Sequence, residues 1–518
     1  MKHRFRASFN LCSPVIICGR LPYFTHYRKH ILMFKSNAII SQRSNRALAA
    51  IAVVLFLLAS LAFSVASPTQ QEAPPALTQT TSRQAKRALV ISLDGLDARY
   101  LHQRDKFGLR IPTLRRLMAE GATARGMITV YPSLTYPAHT AMVTGALPAR
   151  HGIFGNSLFE PPGTPQTGGA HWFAQDIRVD TLWDAASRER LLTGMVSWPV
   201  AGGAGDYNIP EIWSPGGTIE ESRAVIAKYA RPRGLLEEAK GRVPDIYRNV
   251  NEDEGDDART RFAEFIITEK RPELMFVHLF DLDHFEHDYG PFTTEAFAML
   301  EKSDGYVARL LAAAERAGTL KETAVFIVSD HGFMSISKQV HPGVLLARAG
   351  LLEVREEKDA QGRVRARATN WRAMFYVTGG ACAIILRDEN DQDALNKIRA
   401  IFEPLAKQKE SGILRVLNKE EIRELGSNTR AALMLEGAEG YSFGGNLTGE
   451  VITESRSRGT HGYLPTRPDY YASFIASGAG ITKRGDIGLV NMIDIGPTIA
   501  HLLRLTLRDA EGRILPIE

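Results

Sequence analysis

Beyond residue 87 the chain alternates between short unbroken apolar runs and longer stretches in which apolar residues return every three or four positions. ALVISL (88–93), ELMFVHLF (273–280), TAVFIVS (323–329) and YASFIAS (471–477) are runs of the first kind, each followed at once by an Asp or a Gly. A run without a polar face predicts a strand buried on both sides, as in a parallel sheet covered by helices. Helical spacing marks 113–120 after Pro112, 295–315, and a closing helix within 492–505. The alternation predicts an α/β fold with a mainly parallel central sheet flanked by helices over 88–505, followed by a short tail, 506–518. Segment 340–450 breaks this rhythm with charged stretches, a helix-like run at 391–406 and strand-like pieces such as MFYVT, and is expected to form an inserted accessory lobe.

The amino-terminal region is of a different kind. Residues 47–66 are twenty uncharged, mostly apolar positions behind Arg43 and Arg46, and small residues stand at Ser64 and Ala66. This is the layout of a secretory signal cleaved after Ala66, and twenty apolar residues are also long enough for a retained anchor. Met33 offers a more ordinary start for such a leader. The polar, Pro-containing 67–87 reads as a flexible linker. The expectation is an exported protein, periplasmic, secreted or attached to the outer side of the inner membrane through 47–66.

Setting the leader aside changes the charge. Of 63 Lys and Arg, nine fall in 1–46, which has no Asp or Glu; the rest of the chain carries 54 basic against 58 acidic residues. A formal charge of +5 thus becomes −4, and no nucleic-acid partner is expected. Of the three cysteines, Cys12 and Cys18 precede the apolar segment. Cys382, alone in the exported part and set in an apolar run, is expected to be an inert buried thiol without a disulfide. The acidic run NEDEGDD (251–257) reads as a solvated loop.

Carboxylates and imidazoles gather directly after the expected strands. Asp94 follows the first, Asp283 and His287 the second, Asp330 and His331 the third, and His461 lies in RGTHGYLP. In an open α/β sheet the loops at the carboxyl ends of the strands line one crevice. Six oxygen and nitrogen ligands there suit a pair of divalent ions, and the mix of imidazole and carboxylate points to zinc. Singly, each residue has an ordinary reading: Asp-Gly as a turn, Asp283 and His287 as an i,i+4 ion pair. Thr135, in YPSLTYPAHT just before Pro137, falls near a helix N-terminus, where anions are favoured. A plain helix-capping threonine is the alternative there.

Taken together, DG after the first strand, PSLTYPAH, TGALPARHGIFGN, DHFEHDYGP, SDHGF and THGY in this order resemble the nucleotide pyrophosphatase/phosphodiesterase family of the alkaline phosphatase superfamily, in its compact bacterial form. The resemblance runs from about Arg87 to Leu505 and implies an alkaline-phosphatase-like fold. It implies Thr135 as nucleophile and as a ligand of the zinc that activates it, with Asp94, Asp330 and His331 on that same zinc and Asp283, His287 and His461 on a second. Asn156 matches a residue that holds a phosphoryl oxygen, and Tyr136 stands where the family usually has a Phe beside the substrate. Leu134 and Ala138 replace a frequent Lys and Asn, which bears on nucleotide preference. The implied activity is hydrolysis of phosphodiester or pyrophosphate bonds in small nucleotide or lipid-headgroup substrates through a phospho-threonine. A phosphomonoesterase, a phosphonate or sulfate hydrolase on the same fold, and a catalytically inactive metal-stabilised scaffold are the alternatives.

Overall fold

Strand Arg87–Leu93 occupies the middle of an eight-stranded sheet in the computed structural model of the protein, which describes residues 84–165, 167–212, 218–243, 255–358, 364–467 and 469–518. Its side chains divide by parity. Ala88 and Val90 join a core around Trp198, Phe276 and Phe326, and Leu89, Ile91 and Leu93 join another around Phe262, Leu300 and Leu310. With both faces covered, the strand shows no face to water, which is why it reads as a nearly unbroken apolar run. Leu274–Leu279 and Thr323–Val328 flank it in parallel, and Thr193–Val196 and Tyr207–Ile209 extend the parallel block on one side.

The order is completed on the other side by Phe474–Gly478, Ala122–Thr123 and Gly485–Asp486. Phe474–Gly478, within the fourth apolar run, pairs antiparallel with Thr323–Val328. An apolar run reports burial on two faces and carries no information on direction, so this strand differs from the three whose carboxyl ends reach the acidic loops. Helices Pro112–Glu120, Thr294–Arg316 and Ile495–Leu502 form close to the positions that spacing predicts. The last residues fold back, with Leu515 N–H donating to Thr498 Oγ1 at 2.9 Å and Ile517 buried.

Segment 340–450 contains a four-stranded antiparallel sheet in the order Ala373–Thr378, Ala381–Leu386, Ala431–Gly437, Ile413–Leu417. Helix Gln392–Leu405 adds Ile398 and Phe402 to a third core with Ile384, Leu433 and Leu435. Cys382 is a free thiol inside that core, and burial pushes its pKa up. The turn between the first two strands touches the loop that holds His461: Gly380 N–H donates to His461 O at 2.7 Å. Gly462 has φ +99°, and a Cβ there would lie 1.9 Å from Thr378 O, so the contact requires glycine.

One reading is corrected. Residues 251–254 lie outside the described residues, but Asp256 is fully buried at the start of helix Asp256–Phe265, and Asp257 pairs with Arg261 and Arg309. The run does not end as a solvated loop, because these carboxylates meet arginines and backbone N–H groups contributed by distant segments. The leader and most of the linker, residues 1–83, lie outside the described residues; among those described, no helix is long and apolar enough to cross a membrane.

The glycine contact yields a prediction. Gly462→Ala forces a Cβ into a backbone oxygen at a left-handed φ and should destabilise the chain by about 1–3 kcal/mol. Gly445→Ala, where a Cβ meets nothing within 4 Å, should stay within about 0.5 kcal/mol of the parent. Urea denaturation midpoints of the two variants check this; equal midpoints would remove the junction from the stability of the fold.

Candidate active site

Three parallel strands end side by side, and each hands a carboxylate to the same edge. Asp94 follows Leu93 directly, Asp330 follows Val328 by two residues, and Asp283 sits in the first turn of helix Asp281–Tyr289, which begins just after Leu279. His287 is one turn further along that helix on the same face. His331 follows Asp330, and His461 arrives from the loop after Gly459–Thr460, a strand paired antiparallel with Met334–Val340. All six residues singled out in the sequence are therefore brought together.

The distances are those of a ligand cage. His331 Nε2 lies 3.0 Å from Asp330 Oδ2 and 3.3 Å from Asp94 Oδ1. Asp283 Oδ1 lies 3.5 Å from His287 Nε2 and 3.6 Å from His461 Nε2. The rings of His331 and His461 stack at 3.6 Å and 6°, so the two groups abut. Asp283, His287 and His461 can each offer an atom within 4.8 Å of the others, and so can Asp94, Asp283 and His331; Asp283 belongs to both sets.

The donor set fits divalent cations. Asp94 Oδ1, Asp283 Oδ1, Asp330 Oδ2 and His331 Nε2 are buried polar atoms without a hydrogen-bond partner, although they crowd one another. Buried polar atoms are nearly always paired, so several orphans aimed at one point mark a place for a cation. The imidazoles are oriented for it. His287 Nδ1 donates to Gly459 O at 2.9 Å and His461 Nδ1 to Ser133 O at 3.2 Å, which leaves both Nε2 lone pairs facing Asp283.

Charge is balanced unevenly. Burial, with repulsion from Asp330 and Asp283, pushes the Asp94 carboxyl well above its ordinary range. Burial opposes ionisation of Asp330 as well, but His331 beside it holds it well below that range. His331 is raised because Asp330 outweighs burial, while burial, then His331 and His287, keep His461 neutral.

Thr135 opens helix Thr135–Thr144 as its first helical residue, and Leu134 takes the cap position without a side-chain bond. The capping reading of Thr135 therefore gives way: its hydroxyl is not the helix cap. Its neighbours are fixed on every side. Ser133 O holds His461, Thr135 O accepts from His139 Nδ1 at 2.8 Å, and Tyr136 N–H donates to Asn156 Oδ1 at 2.9 Å. That last bond leaves the Asn156 amide nitrogen free to donate elsewhere. Leu134 and Ala138 are both buried.

Several residues of this constellation were not anticipated. His278 Nε2 lies 2.9 Å from Asp94 Oδ2, and its Nδ1 faces Ser197 O and Glu211 Oε2, both at 3.1 Å. Asp94 is thus held by one oxygen while the other points into the cage. Glu211 Oε1 also accepts from Tyr136 Oη at 3.1 Å, joining Tyr136, Glu211, His278 and Asp94 in one line. An imidazole in the otherwise apolar run ELMFVHLF is a signal that could have revealed His278; Glu211 sits in a loop whose pattern carries none. His139 links the Thr135 helix to the first strand through Ser92 Oγ at 2.8 Å.

Comparison with known proteins places this geometry. The family described as type I phosphodiesterase/nucleotide pyrophosphatase matches residues 88–464. Human ectonucleotide pyrophosphatase/phosphodiesterase family member 1 is 25% identical over 260 residues, which cover 47% of this chain and 23% of that protein. Human family member 5 is 22% identical over 472 residues, 89% of this chain and 80% of that one. The structure of murine family member 5, an inactive variant in complex with AMP, superimposes with a TM-score of 0.56 at 19% identity, covering 82% of this chain and 97% of its own. The chain spans about a quarter of the length of family member 1, and the structural likeness is one of fold.

The buried imidazoles predict acid sensitivity. Burial lowers His139 and His151 to about 3, against an ordinary value of 6.5. Between these values the unfolded chain binds protons that the folded chain refuses, so stability is full above about 6.5 and is lost toward 3. Each group should contribute a slope of about 1.4 kcal/mol per pH unit in that window. Urea midpoints at pH 7, 6 and 5 compare the parent with His151→Gln: the variant's midpoint should respond less unfavourably to acid by one group's share, and identical pH dependence in the two would contradict the assignment.

Proposed function

Because the chain belongs to the type I phosphodiesterase/nucleotide pyrophosphatase family, we infer that it is a metal-dependent hydrolase of phosphodiester or pyrophosphate bonds, with Thr135 as its nucleophile. The observation that carries this reading is the set of buried, unpartnered atoms on Asp94, Asp283, Asp330 and His331 beside a threonine whose hydroxyl is not a cap. Asp94, Asp330 and His331 would hold one ion and Asp283, His287 and His461 the other, zinc being the ion that this mixture of ligands suits best. Such ions, when bound, lower the pKa of a hydroxyl and stabilise charge on phosphoryl oxygens.

The protein's part is positioning. Thr135 Oγ forms a bond to phosphorus as the bond to the leaving oxygen breaks, giving a phospho-threonine. Water then takes the phosphoryl group and returns the hydroxyl. Thr135 cannot drift, because the carbonyls of Ser133 and of Thr135 itself and the N–H of Tyr136 are each tied down. Asn156, fixed through its oxygen, has its amide nitrogen to offer a phosphoryl oxygen. Tyr136, buried and held by Glu211, forms a rigid wall beside the reacting group. The AMP complex of murine family member 5 supports a small nucleotide as the substrate class. An exported location, with 47–66 either cleaved as a signal or retained as an anchor, is part of the same reading.

Thr135→Ala should abolish turnover, by several powers of ten, and leave both ions bound, since six ligands remain. Thr135→Ser should keep a measurable rate. Zinc per chain and kcat on bis-p-nitrophenyl phosphate test this; near-parental kcat in Thr135→Ala would remove the nucleophile. A preference for p-nitrophenyl phosphate would favour a monoesterase instead. Stripping metal with excess chelator should abolish hydrolysis, and re-addition of zinc should restore it; full activity in stripped protein would end the metal-dependent reading.

A further inference from the structure

Helix Asp281–Tyr289 carries two of the six clustered side chains, and its ends are held in different ways. At the carboxyl end Arg458 N–H donates to His287 O at 2.8 Å, and His287 Nδ1 is tied to Gly459 O. At the amino end Phe280 occupies the cap position and gives no side-chain cap. The first N–H groups of a helix need partners from outside. Here they find one 25 residues upstream, in the acidic run.

Asp256 Oδ1 accepts from Phe280 N–H at 2.9 Å and Oδ2 accepts from Asp281 N–H at 3.0 Å. In return Asp256 N–H donates to Asp281 Oδ2 at 3.0 Å. Arg259 closes the arrangement: Nη1 lies 2.9 Å from Asp256 Oδ1 and 3.3 Å from Asp281 Oδ1, and its guanidinium covers the Phe280 ring at 3.3 Å. Asp256 and Arg259 belong to helix Asp256–Phe265, itself anchored through Phe262, Ala263 and Phe265 in the core behind the sheet. The start of one helix is thereby fastened to the start of another.

We propose that Asp256 is a positioning residue for the metal half-site made by Asp283, His287 and His461, a role that rests on the two-metal reading above. Asp283 stands two residues after Asp281, within the turn that Asp256 caps. His287 and His461 are anchored independently, to Gly459 O and Ser133 O. Without Asp256 the first turn loses two acceptors and Asp283 loses its fixed place, while both imidazoles keep theirs. Asp94, Asp330 and His331 sit at the ends of other strands. The effect should therefore fall mainly on the ion that Asp283, His287 and His461 would hold and less on the other, which Asp283 also borders.

The test is zinc titration of the full chain against a competing chelator. The parent should bind two zinc ions. Asp256→Ala should weaken one affinity by about tenfold, the scale seen when a residue behind a metal ligand is removed, and weaken the other by a clearly smaller factor. Asp256→Asn, which keeps one acceptor oxygen, should weaken the same affinity by a smaller factor, and it serves as the reporter if the alanine variant does not fold. His287→Ala should weaken that same ion, and the double variant Asp256→Ala/His287→Ala should lose less than the product of the two single effects. Unchanged affinities, equal weakening of both ions, or full multiplicativity in the double variant would overturn the proposal. A parent that binds no zinc would overturn the two-metal reading itself, a result distinct from two bound ions that ignore Asp256.

Discussion

Three carboxylates, Asp94, Asp283 and Asp330, are buried within reach of one another at the edge of a sheet, and the rest of the structure answers to that fact. Taking a carboxylate out of water costs several kcal/mol unless charge and hydrogen bonds replace the lost solvation. Protein groups supply only part of that replacement. His278 and His331 reach Asp94, and His331 and Gly95 N–H reach Asp330, at 3.1 Å for the amide. Oxygens are left over on all three, and burial, with repulsion from Asp330 and Asp283, pushes the Asp94 carboxyl upward. Divalent ions would supply the charge and coordination that these protein groups leave wanting. Local electrostatic strain and affinity for cations are here the same quantity.

Holding such a cluster in shape requires ligands from elements that cannot slide past one another. Neighbouring parallel strands supply Asp94 and Asp330, with their register fixed by continuous pairing of Arg87–Leu93 with both flanking strands. His461 comes from outside the sheet and needs its own fastening. The antiparallel sheet within 340–450 provides it: Gly380 N–H holds His461 O, and buried Glu436 accepts from Leu464 N–H, from Arg467 Nε at 2.8 Å and from Tyr131 Oη at 3.2 Å. The same sheet reaches the other side of the crevice through Tyr376, whose hydroxyl donates to Ser157 O, next to Asn156. Part of the chain remote from the parallel sheet thus holds both His461 and the residue next to Asn156.

What the sequence disclosed follows from this division of labour. The parallel strands were legible because burial on both faces leaves few polar positions, and Asp94 and Asp330 were legible because they stand directly after such strands, with Asp283 and His287 in the helix that follows another. The antiparallel course of Phe474–Gly478 was not legible, since direction leaves no mark on composition. Asp256 was misread because a run of acidic residues looks the same whether it faces water or caps a helix 25 positions on. His278 and Glu211 act through another residue, and such partners are chosen by the folded neighbourhood, not by spacing along the chain.

The same logic explains the surroundings of Thr135. The fold does not hold this residue by a capping bond from its side chain. It uses the backbone instead. Leu134 takes the cap position with extended backbone (φ −121°, ψ 156°), and Thr135 enters the helix as its first residue. His139, four residues on, grips the Thr135 carbonyl with one ring nitrogen and Ser92 with the other, against the edge of Trp198. Burial keeps that imidazole neutral, so it works as a donor on one side and an acceptor on the other without adding charge beside the carboxylates. Orientation is thereby fixed by groups that take no part in charge balance, and charge balance is left to groups that need not move. Separating the two tasks lets a rigid helix start stand beside an electrostatically unsatisfied cluster without relaxing toward it.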